Sequence, residues 1–148
     1  IAPNGDVWTV EHGTRGGDEV NLDRAGVNYG WPIIAYGVEY AGGAINEGVT
    51  AREGLEQPVY YWDPVIAPGG MTFYQGAMFP GWRGDLLVAG LKEKRISRLV
   101  LRNNRVVGEE YLLTDLGERV RDVAVGPDGA VWAVTDEANG KLVRLSRR

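Results

Sequence analysis

The sequence contains no cysteine. Disulfides, thiolate metal sites and a cysteine nucleophile are therefore excluded, while the compartment stays open. Histidine occurs once, at His12. No apolar run approaches the roughly 18–20 residues of a membrane span. A basic excess is also missing: 16 Lys and Arg stand against 20 Asp and Glu, for a net charge of −4. A dominant phosphate-binding surface would show as a basic excess, so a nucleic-acid partner is not expected. There is no secretory leader, but the chain opens at Ile1 without Met, in the middle of a structural phrase. Any export signal ahead of it would not be visible.

What is abundant is glycine, 22 residues, accompanied by five tryptophans. Together with short apolar runs, this composition points to many tight turns between short strands. A self-match sharpens the reading. Ile1-Ala2-Pro3-Asn4-Gly5-Asp6-Val7-Trp8-Thr9-Val10 aligns with Val125-Gly126-Pro127-Asp128-Gly129-Ala130-Val131-Trp132-Ala133-Val134. Each copy is a turn followed by a strand. Proline presets φ, and Asn or Asp before Gly supplies the positive φ of a tight turn. Val-Trp-x-Val is β-branched and aromatic, as strands prefer. A weaker third copy, Gly84-Asp85-Leu86-Leu87-Val88-Ala89, lies between them.

Gly84 and Gly129 stand 45 residues apart, close to one four-stranded propeller blade. The 79 residues from Gly5 to Gly84 fit one blade plus an insertion of roughly 35. The fold expected is all-β: about three blades of a β-propeller, read as one partial domain over residues 1–148 with a loop insertion at about 13–58. Closed propellers need about 4–8 blades, and three would leave two unpaired sheet edges. The expectation is a longer protein whose N-terminal half lies outside this sequence.

The insertion carries the polar, non-repeating residues. Gly13-Thr14-Arg15-Gly16-Gly17-Asp18-Glu19 is a glycine-rich loop with two adjacent carboxylates. Hard cations take oxygen ligands from such loops, although a solvated surface loop has the same composition. Gly26-Val27-Asn28-Tyr29-Gly30-Trp31-Pro32 sets two aromatics among turn residues. Tyr60-Tyr61-Trp62-Asp63 reads either as a surface for a sugar ring or as core of the next blade.

These strings, in order, resemble a known family. Glu11-His12-Gly13-Thr14-Arg15-Gly16-Gly17-Asp18-Glu19-Val20-Asn21 with Gly26-Val27-Asn28-Tyr29-Gly30-Trp31-Pro32 looks like the soluble aldose and glucose (sorbosone) dehydrogenases that use pyrroloquinoline quinone (PQQ) and calcium. Ala67-Pro68-Gly69-Gly70-Met71, Leu91-Lys92 and Glu118-Arg119-Val120-Arg121-Asp122 extend the match to nearly the whole chain, in the register of the family's C-terminal half.

The resemblance implies a six-bladed parent that oxidises an aldose to its lactone and passes electrons to a separate acceptor. It implies that the carbonyls of Gly13 and Thr14 hold a catalytic calcium. Glu19 and the carbonyl of Tyr29 would hold a structural one. His12, Lys92, Arg119 and Arg121 would contact the quinone. Thr14 stands where family members often have proline. Arg119 and Arg121, two apart, would share one face of a strand, and guanidinium forks suit a carboxylated cofactor. Without the family, two arginines in a strand read as a solvated face, and Lys92 reads as a hairpin tip.

The family's base histidine and an Arg-Asn pair lie in the N-terminal half. No catalytic residue is therefore expected within this chain, and His12 is not assigned that role. A periplasmic or secreted location is the family's habit. The alternatives are a calcium-dependent lactonase-like hydrolase and a non-catalytic binding propeller.

Overall fold

A computed structural model describes residues 1–147. The chain is all-β: ten strands form three antiparallel sheets, with two short 3-10 turns as the helical content of the described residues. These sheets are propeller blades. They divide between two compact units, residues 1–67 and 68–148.

The first unit holds β1 (Val7–Glu11), β2 (Asp18–Asp23) and β3 (Tyr60–Trp62), in the order β1-β2-β3. Residues 18–23, expected within the loop insertion, are strand β2. The long irregular excursion is the segment 24–59 between β2 and β3.

The second unit holds two sheets. One is four-stranded: β4 (Pro68–Phe73), β5 (Leu86–Gly90), β6 (Arg95–Arg102) and β7 (Arg105–Leu112). The other comprises β8 (Val120–Val125), β9 (Val131–Thr135) and β10 (Leu142–Leu145). First strands β4 and β8 lie against each other. Between the two sheets sits a core built on Tyr74, Leu87, Ala89, Ile96, Val120, Val123, Val131 and Ala133. All five residues of β5 are buried, which explains its unbroken apolar run. Strand β9 alternates instead, with Val131 and Ala133 inward and Val134 exposed.

The repeat seen in sequence is a repeat in geometry. Gly5, Gly84 and Gly129 have φ of +90°, +89° and +82°, a region that penalises any Cβ. In the two strong copies the turn bonds coincide. Ala2 N donates to Asp6 O and Gly5 N to Ala2 O; Gly126 N donates to Ala130 O and Gly129 N to Gly126 O. The side-chain carbonyl of Asn4 and the carboxylate of Asp128 each accept from the amide two residues on, both at 3.1 Å.

The repeat equates β1 with β5 and β9, which are second in their sheets, yet β1 stands at a sheet edge. Among the described residues, its sheet has no counterpart of β4 or β8.

Candidate functional site

In the first unit the glycine-rich segment is organised by Asp18. Its carboxylate is buried and accepts from Gly13 N and from Ala67 N, each at 2.7 Å. Asp18 therefore closes the loop instead of facing solvent beside Glu19 as a second carboxylate ligand. Alternation along β2 sends the two side chains to opposite faces. Gly13 has no room for a side chain: a Cβ there would sit 2.2 Å from Gly16 O.

The Thr14 hydroxyl donates to Val38 O at 2.6 Å, and Arg15 and Val38 exchange both backbone bonds. Thr14 thus anchors by its hydroxyl a loop that a proline would stiffen through its ring.

A pocket of about 200 Å³ opens beside this loop. Five of the residues singled out in sequence line it: His12, Gly13, Thr14, Glu19 and Tyr29. Glu11 joins them, and it faces Glu19 directly across the β1–β2 ladder. Like charges placed opposite one another repel. Burial pushes the Glu19 carboxyl above its ordinary value; a hydrogen bond with Asn21 opposes the rise and the Glu11 charge adds to it. Asn21, itself buried, also donates to Glu11 Oε1 at 3.0 Å. The Tyr29 hydroxyl is committed to backbone, donating to Leu22 O and accepting from Arg24 N.

The aromatic run resolves into two roles. Trp62 is buried core of the first sheet, edge-on to Tyr60, and so belongs to β3 of its own blade, not to the next one. Tyr61 is exposed and stacks on Tyr36 at 3.9 Å between centroids.

In the second unit, Lys92 is exposed at the tip of the β5–β6 hairpin. Arg119 lies just ahead of β8 and Arg121 inside it, so the shared-strand reading needs correction. The register slips between Val120 and Asp122, a bulge that leaves Arg121 without a ladder partner. What brings the two guanidinium groups together is Asp136. Its Oδ2 accepts from Arg119 Nε at 3.2 Å, Arg119 Nη2 at 3.1 Å and Arg121 Nη2 at 2.7 Å. Arg121 and then Arg119 hold the Asp136 carboxyl below its ordinary value. Sequence reasoning missed Asp136; its one signal was an acid directly after the strand that follows the arginines.

The glucose / sorbosone dehydrogenase family model matches residues 1–144. The chain belongs to this family. Among curated relatives of the glucose / sorbosone dehydrogenases, the aldose sugar dehydrogenase YliI of Escherichia coli is 42% identical over 143 residues, which is 96% of this chain and 38% of the relative. A glucose dehydrogenase crystal structure is 46% identical with a TM-score of 0.92, covering 97% of this chain and 42% of that one.

The soluble aldose sugar dehydrogenase from Escherichia coli, in its apo form, is 41% identical with a TM-score of 0.91, covering 98% and 42%. A PQQ-bound aldose sugar dehydrogenase from Streptomyces coelicolor, at 23% identity and a TM-score of 0.69, shares the fold. The chain thus spans about two fifths of the length of these relatives.

Proposed function

We propose that this chain is the C-terminal part of a PQQ- and calcium-dependent dehydrogenase that oxidises an aldose to its lactone and delivers the electrons to a separate acceptor. The observation that carries the proposal is the pair of exposed guanidinium groups, Arg119 and Arg121, gathered on one carboxylate at the start of β8. Two oriented guanidinium forks match a flat cofactor bearing several carboxylates.

The support for calcium lies in the first unit. Glu11 and Glu19 oppose each other beside backbone-rich Gly13 and Thr14, and hard cations take carboxylate and carbonyl oxygens. A cation there would offset the repulsion and the burial that now raise the Glu19 carboxyl. In this reading the carbonyls of Gly13 and Thr14 hold the calcium that meets the cofactor. Glu19 and the Tyr29 carbonyl hold a structural calcium. His12, Lys92, Arg119 and Arg121 hold the quinone.

When bound, the quinone would supply the two-electron acceptor that sugar oxidation needs and that side chains lack. The chain's own residues bind and orient. Arg119 and Arg121 neutralise carboxylates, and Lys92 places a positive charge where negative charge gathers on an oxygen. Asp18 keeps the loop carbonyls in place through Gly13.

No residue of the chain is assigned to take the proton from the sugar's anomeric hydroxyl; in this reading that base lies in the part of the parent protein that this chain does not span. In this reading the chain by itself is inert or nearly so. The edge position of β1, against the inner position of its repeats, agrees with a propeller continued by further blades. A periplasmic or secreted location goes with this reading.

The test is reconstitution of the full-length protein with PQQ and calcium, following dye reduction by several aldoses beside an Arg119→Ala, Arg121→Ala double variant. Activity that requires both additions and is lost in the variant supports the proposal. A folded protein that neither binds PQQ nor reduces dye overturns it and returns the choice to a hydrolase or a binding propeller.

A further inference from the structure

We propose that Asp136 is a positioning residue for the anion-binding arginines: it gathers the Arg119 and Arg121 guanidinium groups into one fork before any ligand arrives, so that a planar polycarboxylate meets two cations already oriented. The inference rests on the reading of these arginines as the quinone's partners.

The backbone fixes the position of Asp136. It follows β9 directly, and its N–H donates to Arg119 O at 2.8 Å, extending the β8–β9 pairing by one bond. Its side chain is thereby held opposite Arg119. The bulge between Val120 and Asp122 then lets a residue two positions further on reach the same carboxylate; bulges re-aim side chains in this way.

All three bonds fall on the one oxygen, Oδ2. Each guanidinium carries five N–H donors, so three of ten are used and the rest remain for a ligand. The groups are well exposed, 44% for Arg119, 52% for Arg121 and 37% for Asp136. Exposed pairs contribute little to stability. Their value here is geometric: two long, flexible, like-charged side chains are kept together, and the three side chains carry +1 between them, with the Glu137 carboxylate beside them accepting from the Arg119 backbone N–H.

A competing role predicts the opposite sign. If Asp136 were only an anion in the way of an anionic ligand, removing its charge would tighten binding. The exposed setting screens that Coulomb effect, while loss of the fork costs order in both arginines. The orientation effect therefore dominates.

PQQ would be titrated into the full-length protein by quenching of tryptophan fluorescence, comparing wild type, Asp136→Asn and Asp136→Glu. Arginine-selective NMR would follow exchange of the Arg119 Nε–H with water in the absence of PQQ. The expected result is roughly tenfold weaker PQQ binding in Asp136→Asn and recovery to within about threefold in Asp136→Glu, the loss being about 1.4 kcal/mol. The Nε–H should exchange faster in Asp136→Asn.

Unchanged or tighter binding in Asp136→Asn overturns the proposal. If wild type does not bind PQQ, the functional reading falls, and citrate becomes the probe. Weaker citrate binding with faster Nε–H exchange in Asp136→Asn then supports the positioning role for carboxylates generally. No change in either overturns it.

Discussion

Replacing Gly69 by alanine tests whether the first strands of the two sheets in the second unit, β4 and β8, are packed as tightly as the geometry requires. Gly69 lies in β4, and a Cβ built on it falls 2.1 Å from the carbonyl oxygen of Arg121 and 2.9 Å from its carbonyl carbon. The obstacle is backbone, not the end of a flexible side chain. Strands β4 and β8 would have to part by roughly an ångström to restore a tolerable contact.

Forcing extra atoms into a packed region costs about 1–3 kcal/mol, and the upper part of that range is expected because the neighbour is a strand. The shift also lands on Arg121. On the proposed function, PQQ affinity should therefore fall together with stability, although Gly69 itself offers no side chain to any ligand. The control is Gly81→Ala, where nothing lies within 4 Å of the new Cβ and φ is not positive; it should be within about 0.5 kcal/mol of wild type. Urea unfolding and PQQ titration of the full-length protein read both effects. A Gly69→Ala protein with wild-type midpoint and affinity would refute the close β4–β8 approach.

Tyr74→Phe removes a buried hydroxyl that donates to Gly129 O at 2.7 Å and accepts from Phe79 N at 2.9 Å. Leaving both partners unpaired should cost about 2–3 kcal/mol in urea unfolding. Asp85 is fully buried, pairs with Arg98 and accepts from Leu101 N, so Asp85→Ala should cost about 3–5 kcal/mol. Calorimetry of the same variant would show a lowered Tm.

Lys141 and the Thr135 hydroxyl hold the Glu118 carboxyl below its ordinary value. Its contribution is then present above the unfolded value and is lost as pH falls through the depressed one. The Tm difference between wild type and Lys141→Gln should be small at pH 7 and shrink progressively as pH falls below the ordinary carboxylate range.

The strands and turns were legible because their signals are local. Pro-Asn-Gly and Pro-Asp-Gly carry their φ requirements within three residues, and Val-Trp-x-Val carries its strand preference within four. The same locality placed Lys92 at a hairpin tip. The loop and the arginine fork were harder, because both are organised by acids whose partners are distant in sequence. Asp18 joins residues 13 and 67, and Asp136 joins residues 119 and 121. Before folding, Asp18 looks like one more charge in a solvated loop. Pairing of Glu11 with Glu19 follows from strand register, which composition does not give.

These two acids show what carboxylates do on this scaffold. Neither is assigned to a ligand, yet each controls groups that are. Asp18 is buried and bonds to backbone N–H groups, so its effect is rigidity: the Gly13–Glu19 segment is held whether or not a cation is present. Asp136 is exposed and bonds to mobile guanidinium groups, so its effect is orientation without permanence, and a ligand can share the arginines with it. The difference in burial predicts a difference in consequence. Loss of Asp18 should loosen the loop and, on the proposed function, weaken calcium and quinone binding together, because the half-buried N–H groups of Gly13 and Ala67 would lose their acceptor. Loss of Asp136 should leave the fold intact and weaken carboxylate binding alone.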